Sequence, residues 1–159
     1  MSARRLRVPA PFVSGAALSP LPLFVYGTLL PGQLLAAVVA PYVLAHTVAT
    51  VEGRLHWHSC GEFPVLVASA TSVTVGLRVE VRPEPALMQF LAVDEIGFGY
   101  DARWCPLTSA GGGALGPALV FCWPWGAETL GPPIDGGAFA PIEVLEAGYP
   151  TSPGVDPLG

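Results

Sequence analysis

The segment from Val73 to Val81 alternates apolar and polar side chains along its whole length. Valine or leucine stands at every odd position, while threonine, glycine, arginine and glutamate stand at the even ones. Successive side chains of a β-strand point to opposite faces of a sheet, so this period of two predicts a half-buried strand. The chain is therefore expected to fold around a sheet with one apolar face against a core.

Glycine and proline interrupt the rest of the chain often enough to disfavour long elements. The sequence has 19 glycines and 18 prolines among 159 residues, roughly twice their average usage in proteins. Both residues are strong signals for turns and breaks. A helical bundle is therefore disfavoured, and a domain of short strands and short helices is expected.

Short β-branched and aromatic runs between these breaks predict further strands, at residues 23–26, 46–57, 65–67, 100–107 and 118–123. The second and third of these are expected to pair. Helices are predicted at 33–39, 86–96 and 141–147, with Gly97 closing the second, and a glycine-rich loop is expected at 110–117. This order predicts a mixed sheet or small β-barrel with few helices, in the α+β class.

One domain is expected at residues 22–150, with flexible tails at 1–21 and 151–159. The arginines near the N-terminus precede an apolar stretch, which admits a secretory signal as an alternative. Several prolines interrupt that stretch and favour the tail. The three cysteines are an odd number without a C-x-x-C pair, which predicts reduced thiols in a cytoplasmic protein.

The small number of basic residues and the short apolar runs argue against two classes of partner, nucleic acids and membranes. The chain has no lysine, seven cationic side chains and a formal net charge of −5, so it lacks the basic stripe that nucleic-acid binding requires. Its longest apolar run, from Leu34 to Ala45, contains Pro41 and is shorter than the roughly 20 residues of a spanning helix. Neither nucleic acid nor a membrane is an expected partner, and the oligomeric state stays open.

The predicted strand at 23–26 runs into the turn Tyr26-Gly27-Thr28-Leu29. An ordinary strand-to-helix connection is one interpretation, since short glycine turns are common. The other is a nest in which backbone N–H groups and the Thr28 hydroxyl bind an anion. Neither a G-x-G-x-x-G motif nor a P-loop is present, so such a nest suits a carboxylate better than a nucleotide.

Asp94 and Glu95 lie in the last turn of the helix predicted at 86–96. Carboxylates there oppose the helix dipole, and such departures from local rules concentrate at functional sites. A carboxylate at a negative helix end has its acid form favoured, which suits a general base. A solvated acidic pair at a helix end is the alternative.

A third feature, His56, His58 and Cys60, would share one face of a strand and offer three metal ligands. No fourth ligand is apparent, and a polar-faced strand leading into a hairpin explains the pattern better. We therefore predict no metal site. No cysteine lies beside a predicted helix start or a clustered base, so a cysteine nucleophile is also disfavoured.

Four short motifs follow one another between residues 23 and 125 in a characteristic order. They are Phe-Val-Tyr-Gly-Thr-Leu at 24–29, Gly-Arg-Leu at 53–55 leading to Gly-Glu-Phe-Pro-Val-Leu at 61–66, Val-Gly-Leu-Arg-Val-Glu-Val at 75–81, and the helix into Val-Asp at 93–94 with Tyr100 and Arg103 after it. Each motif is weak alone. As an ordered set they make the chain resemble the gamma-glutamylcyclotransferase-like family.

This resemblance implies a small mixed barrel with a cavity whose floor is the Tyr26 to Leu29 turn. In active members of that family the turn holds the glutamyl end of the substrate, and a glutamate of an L-D-x-x-E-G segment acts as acid and base. The implied reaction is intramolecular cyclisation of a gamma-glutamyl amide, releasing 5-oxoproline and a free amine. It implies a small gamma-glutamyl compound as partner, no cofactor, and Tyr100 as a residue lining the pocket.

The sequence departs from the family pattern at the general base. Aligned without a gap, Val93 and Asp94 take the first two positions of the motif, and the glutamate position falls on Gly97. Glu95 stands two residues earlier, about 200° away on an α-helix. Glu95 is the candidate base if the helix ends early or the chain shortens locally, with Asp94 in reserve. The alternative is a non-catalytic ligand-binding member that has lost the base.

Overall fold

The computed structural model describes residues 19–97 and 99–150. These residues form seven strands: β1 (Leu21–Val25), β2 (Val43–Glu52), β3 (Arg54–Trp57), β4 (Pro64–Val67), β5 (Val73–Val81), β6 (Asp101–Ser109) and β7 (Ala114–Cys122). Their helices are α1 (Ala36–Val39), α2 (Pro85–Phe90) and α3 (Ile142–Ala147). A π-helix (Leu91–Ile96) continues α2, and short 3-10 turns lie at Ala40–Tyr42, Ala127–Thr129 and Asp135–Gly137.

Five of the strands close into a barrel in the order β1-β5-β2-β6-β7. Its neighbours are antiparallel except for β1 and β7, which are parallel, with Leu23 opposite Leu119. Strands β3 and β4 form a separate antiparallel pair. The α+β class and the small barrel with few helices are confirmed.

In the second half of β5, buried and less buried side chains alternate as predicted. Leu77, Val79 and Val81 are fully buried. At the start of the strand the pattern reverses: Val73 is 58% exposed, and Thr74 is buried and donates a hydrogen bond to the Gly53 carbonyl at 3.1 Å. The reason is that the β2–β3 connection covers the outer face of β5 there, which the sequence of β5 alone does not show.

Several element boundaries differ from the sequence prediction, three of them by more than a small shift at a strand end. The predicted strand at 46–57 is two strands, because the chain turns at Gly53, whose φ is +150°. The expected glycine-rich loop at 110–117 is shorter, since β7 begins at Ala114 and pairs with β6 from there. The first helix begins at Ala36 rather than at residue 33.

The first strand, β1, begins at Leu21, and the domain bounds of 22–150 remain a prediction. The rest of the N-terminal tail with its signal alternative, the C-terminal tail and Phe98 lie outside the described residues. Within the described part of the chain, no helix has the length and apolar character needed to cross a bilayer.

Gly76 marks the tightest contact between β5 and β1. A β-carbon at this position would clash with the Val25 carbonyl oxygen and would lie 2.8 Å from Cζ of Phe24. We expect Gly76→Ala to lower the free energy of unfolding by about 1–3 kcal/mol, the usual cost of overpacking. Chemical denaturation would measure this effect.

Gly111→Ala is the matched control, since the nearest atom to its β-carbon would be the Ser109 Oγ at 4.0 Å. It should leave the unfolding curve unchanged. Equal stability of the Gly76→Ala protein and the wild type would contradict the close packing of β1 on β5.

Candidate active site

A cavity opens at the end of β1, where the chain turns toward α1. It holds about 30 Å³, room for one or two water molecules, so the end of a small polar group can reach its floor. The residues that line it are Phe24, Val25, Tyr26, Gly27, Thr28, Leu29, Glu95, Tyr100 and Phe121. The structure thus brings together the predicted turn, Glu95 and Tyr100, which the sequence separates by some 70 residues.

The Tyr26 to Leu29 turn is held rigidly from several sides. The N–H of Leu30 donates to the Gly27 carbonyl at 2.9 Å, and the N–H of Leu35 donates to the Thr28 carbonyl at 2.8 Å. The Tyr149 hydroxyl donates to the Leu29 carbonyl at 2.6 Å. Three carbonyl groups of the turn are therefore already engaged by the protein, and the turn is fixed before any ligand arrives.

Gly27 is also where two of the sequence motifs meet. A β-carbon at Gly27 would lie 2.8 Å from Cγ of Pro64, which begins β4. Only glycine allows the turn to approach the proline this closely. The Tyr-Gly-Thr-Leu motif and the Gly-Glu-Phe-Pro motif are therefore packed against each other behind the cavity.

Glu95 reaches the cavity because the helix changes its winding. Helix α2 ends at Phe90, and Leu91–Ile96 forms a π-helix, in which the N–H of Gly97 donates to the Ala92 carbonyl at 3.1 Å. A π-helix has more residues per turn than an α-helix, so successive side chains rotate by less than 100°. The α-helical angles assumed from the sequence therefore do not fix the direction of Glu95, which lines the cavity.

Gly97, at the position where the family pattern has its glutamate, cannot take over this role. A β-carbon there would clash with the Val93 carbonyl oxygen. The helix closes at Gly97 as predicted, because the π-helix ends at Ile96 and Gly97 is its C-cap; Gly97 keeps right-handed helical angles, and a positive φ of +117° occurs at Gly99. In this backbone the carboxylate belongs at position 95.

The environment of Glu95 favours its protonated form. Burial, reinforced by the negative charge of Asp94, raises the pKa of Glu95 from 4.5 to about 7. Burial likewise raises the pKa of Tyr26 and of Tyr100 above the ordinary phenol value. Both phenols therefore stay neutral at physiological pH, and the carboxyl of Glu95 is the group in the cavity that titrates near neutrality.

The reserve candidate, Asp94, is exposed and does not line the cavity. The cavity also contains Phe121, which the sequence analysis did not single out. Phe121 is placed there by the pairing of β7 beside β1, and no local sequence signal marks it. The catalytic and binding roles of Glu95, the turn and Tyr100 remain predictions.

The histidine and cysteine pattern is divided between different structural roles. Strand β3 ends at Trp57, so the strand alternation does not extend to His58 and Cys60. His56 is buried and its Nδ1 lies 3.0 Å from the Gly131 carbonyl, while His58 stacks on Phe63 with ring centroids 4.6 Å apart. Across residues 19–97 and 99–150, no three histidine, cysteine or acidic side chains are grouped to hold a metal ion.

A family model and several solved structures match the part of the chain that forms this cavity. The family model of gamma-glutamyl cyclotransferase, AIG2-like, matches residues 23–140. A search of curated protein sequences found no match. Among solved structures, an AIG2-like protein from Mus musculus is 19% identical with a TM-score of 0.62, over 76% of this chain and 88% of that one. An uncharacterized protein from Pyrococcus horikoshii is 22% identical with a TM-score of 0.56, over 80% and 96%.

The structure of YkqA from Bacillus subtilis is similar over a part of its length. It is 20% identical with a TM-score of 0.57, and the match covers 76% of this chain but 39% of YkqA. The chain therefore spans about two fifths of that protein. At these identities the three structures show that the fold is shared.

The raised pKa of Glu95 predicts a pH-dependent cost in stability. Between pH 4.5 and about 7 the unfolded chain ionises Glu95 while the folded chain keeps it protonated, so stability falls as pH rises through this window. Glu95→Gln removes the cost. Allowing for the partial exposure of the group, we expect the variant to be about 2 kcal/mol more stable than wild type at pH 8 and nearly equal at pH 4.

Denaturant titrations at both pH values would test this prediction. Glu62→Gln serves as the control, since Glu62 is exposed in the turn between β3 and β4, and it should change stability little at either pH. A Glu95→Gln variant that is less stable than wild type at pH 8 would show that the carboxyl is not buried at a cost.

Proposed function

The chain belongs to the gamma-glutamyl cyclotransferase, AIG2-like family, and from this premise we propose that it converts a gamma-glutamyl amide into 5-oxoproline and a free amine. The observation that carries the proposal is the placement of the Glu95 carboxyl in the cavity formed by the Tyr26 to Leu29 turn. A member of the fold that had lost its base would lack a titratable group at this place. Here one is present, although its position in the sequence is shifted.

The proposed substrate binds by its glutamyl end. Carbonyl groups of the turn are engaged by Leu30, Leu35 and Tyr149, which supports a role for the turn's N–H groups in donating hydrogen bonds to the substrate carboxylate. The Thr28 hydroxyl lines the same cavity and supplies a further donor. Holding the glutamyl chain in a folded conformation brings its α-amine close to its own γ-carbonyl carbon, which lowers the entropic part of the barrier.

Glu95 then acts first as a general base and afterwards as a general acid. Its carboxylate takes a proton from the α-amine as the nitrogen attacks the γ-carbonyl carbon and a five-membered ring closes. The tetrahedral intermediate collapses by breaking the bond between that carbon and the leaving nitrogen, which receives the proton back from the Glu95 carboxylic acid. The products are 5-oxoproline and a neutral amine, and Glu95 returns to its starting state.

The surroundings of Glu95 suit both halves of this cycle. A general acid and base works best when its pKa lies near the working pH, and burial with the charge of Asp94 raises the pKa of Glu95 to about 7. The neutral hydroxyls of Tyr26 and Tyr100 lie in the same region and add no competing negative charge, because burial raises the pKa of each phenol.

We also propose that the protein works in the cytoplasm on small gamma-glutamyl compounds. The three cysteines are all free thiols, which is the usual state in a reducing compartment. The small volume of the cavity, about 30 Å³, suits the end of a small amide.

The first test is 5-oxoproline release from a panel of gamma-glutamyl amino acids and amines. We expect Glu95→Gln to lower kcat by at least about 100-fold, because the amide keeps the shape and cannot carry the proton. Asp94→Asn is the matched control and should retain activity, since the Asp94 side chain is exposed. Full activity of Glu95→Gln would exclude Glu95 as the base.

Absence of turnover with any amide in the wild-type protein would contradict the proposed reaction. Thermal stabilisation by a small carboxylate in that case would indicate the non-catalytic ligand-binding alternative.

The pH profile provides a second test. The base must be ionised to accept the first proton, so kcat/KM should rise with pH through about 7 and fall about tenfold per unit below it. Removing the Asp94 charge takes away one cause of the raised pKa. Asp94→Asn should therefore move the rising limb to lower pH, and an unchanged limb in that variant would argue that another group titrates.

A further inference from the structure

Three aromatic side chains form a row that leads out of the Glu95 cavity. Tyr100 lines the cavity, and its ring meets the Trp123 ring edge to face with centroids 6.1 Å apart. The Trp123 ring meets the Trp125 ring in the same way at 5.0 Å. A β-carbon at Gly99, the residue before Tyr100, would lie 3.4 Å from the Trp125 ring, so Trp125 also packs close to the backbone beside Tyr100.

The row is held in place without a ligand. The Trp123 backbone N–H donates to the Leu66 carbonyl at 2.8 Å, and its indole Nε1–H donates to the Thr129 hydroxyl at 2.9 Å. That hydroxyl donates in turn to the Gly126 carbonyl at 2.9 Å. Trp125 is 51% exposed, so its ring is accessible to a bound group.

A second cavity begins at the outer end of the row. Its volume is about 470 Å³, within the range of small-molecule sites, and Trp123 and Trp125 are part of its lining. Glu52 and Arg103 also line it, and they contribute one charge of each sign. The two tryptophan rings are the aromatic surface of this cavity, and they join it to the row that begins at Tyr100.

We infer that the aromatic row is the subsite for the leaving amine, and that the preferred substrates are gamma-glutamyl amides of amines that carry an aromatic ring. This inference rests on the proposed function, which sets the glutamyl end at the floor of the first cavity. In this arrangement the leaving nitrogen lies toward Tyr100, which lines the cavity and begins the row. An aromatic group on a short alkyl chain can stack on or meet the edges of Trp123 and Trp125.

The test compares three gamma-glutamyl amides, those of methylamine, phenethylamine and 1,4-diaminobutane. We expect kcat/KM for the phenethylamide to exceed the other two by about tenfold, the order of an aromatic pair contact. Trp125→Ala should lose about 3- to 10-fold on the phenethylamide alone, and Trp125→Phe should restore most of the loss. Leu44→Ala, which removes another apolar side chain that is 51% exposed, should change none of the three.

Equal kcat/KM values for the three amides, a preference for the cationic diaminobutane amide, or an equal loss on all three in Trp125→Ala would each overturn the inference. Trp125 is exposed, so its replacement leaves folding intact, which the denaturation midpoint would verify.

Binding to the Glu95→Gln protein separates this inference from the proposed reaction. Tryptophan fluorescence titration with the methylamide and the phenethylamide reports on the row without turnover. Tighter binding of the phenethylamide that disappears in the Glu95→Gln, Trp125→Ala double variant supports the row even if the wild type releases no 5-oxoproline. Equal affinity for the two amides overturns the row even if 5-oxoproline is released.

Discussion

The parallel pairing of β1 with β7, which sets Leu23 opposite Leu119, is the contact on which the site depends. It closes the barrel by joining the first and last strands of the sheet. Because the two strands run in the same direction, their carboxyl ends lie side by side. One end carries the Tyr26 to Leu29 turn, and the other carries Phe121 and Trp123, so a single long-range pairing builds both the cavity floor and the start of the aromatic row.

The sequence predicts those parts of the site whose residues are neighbours along the chain. The strand that ends in Tyr26 and the turn after it follow from local propensity and glycine chemistry, and the barrel follows from the order of short elements. Phe121 and the Tyr149 hydroxyl come from segments about 95 and 120 residues away from the turn. Their contribution depends on strand pairing and on the docking of the chain after α3, which no local pattern encodes.

The sequence also limits the candidates for the general base to Glu95 and, in reserve, Asp94, without showing which of them faces the cavity. That decision depends on helix period, and the α-helical period assumed for residues 86–96 stops at Phe90. The π-helix that follows turns Glu95 into the cavity and leaves Asp94 exposed. Amphipathic patterns of 3.6 residues cannot reveal such a change of winding, since a single π turn is too short to set its own period.

The two positions at which this chain departs from the family pattern lie in and directly after the π turn. Residue 95 lines the cavity, and position 97 lies so close to the Val93 carbonyl that a side chain there would clash. A glutamate at 95 and a glycine at 97 are therefore both compatible with this one backbone conformation. The carboxyl group that we propose as the base lies in the cavity even though the family position of the glutamate is occupied by glycine.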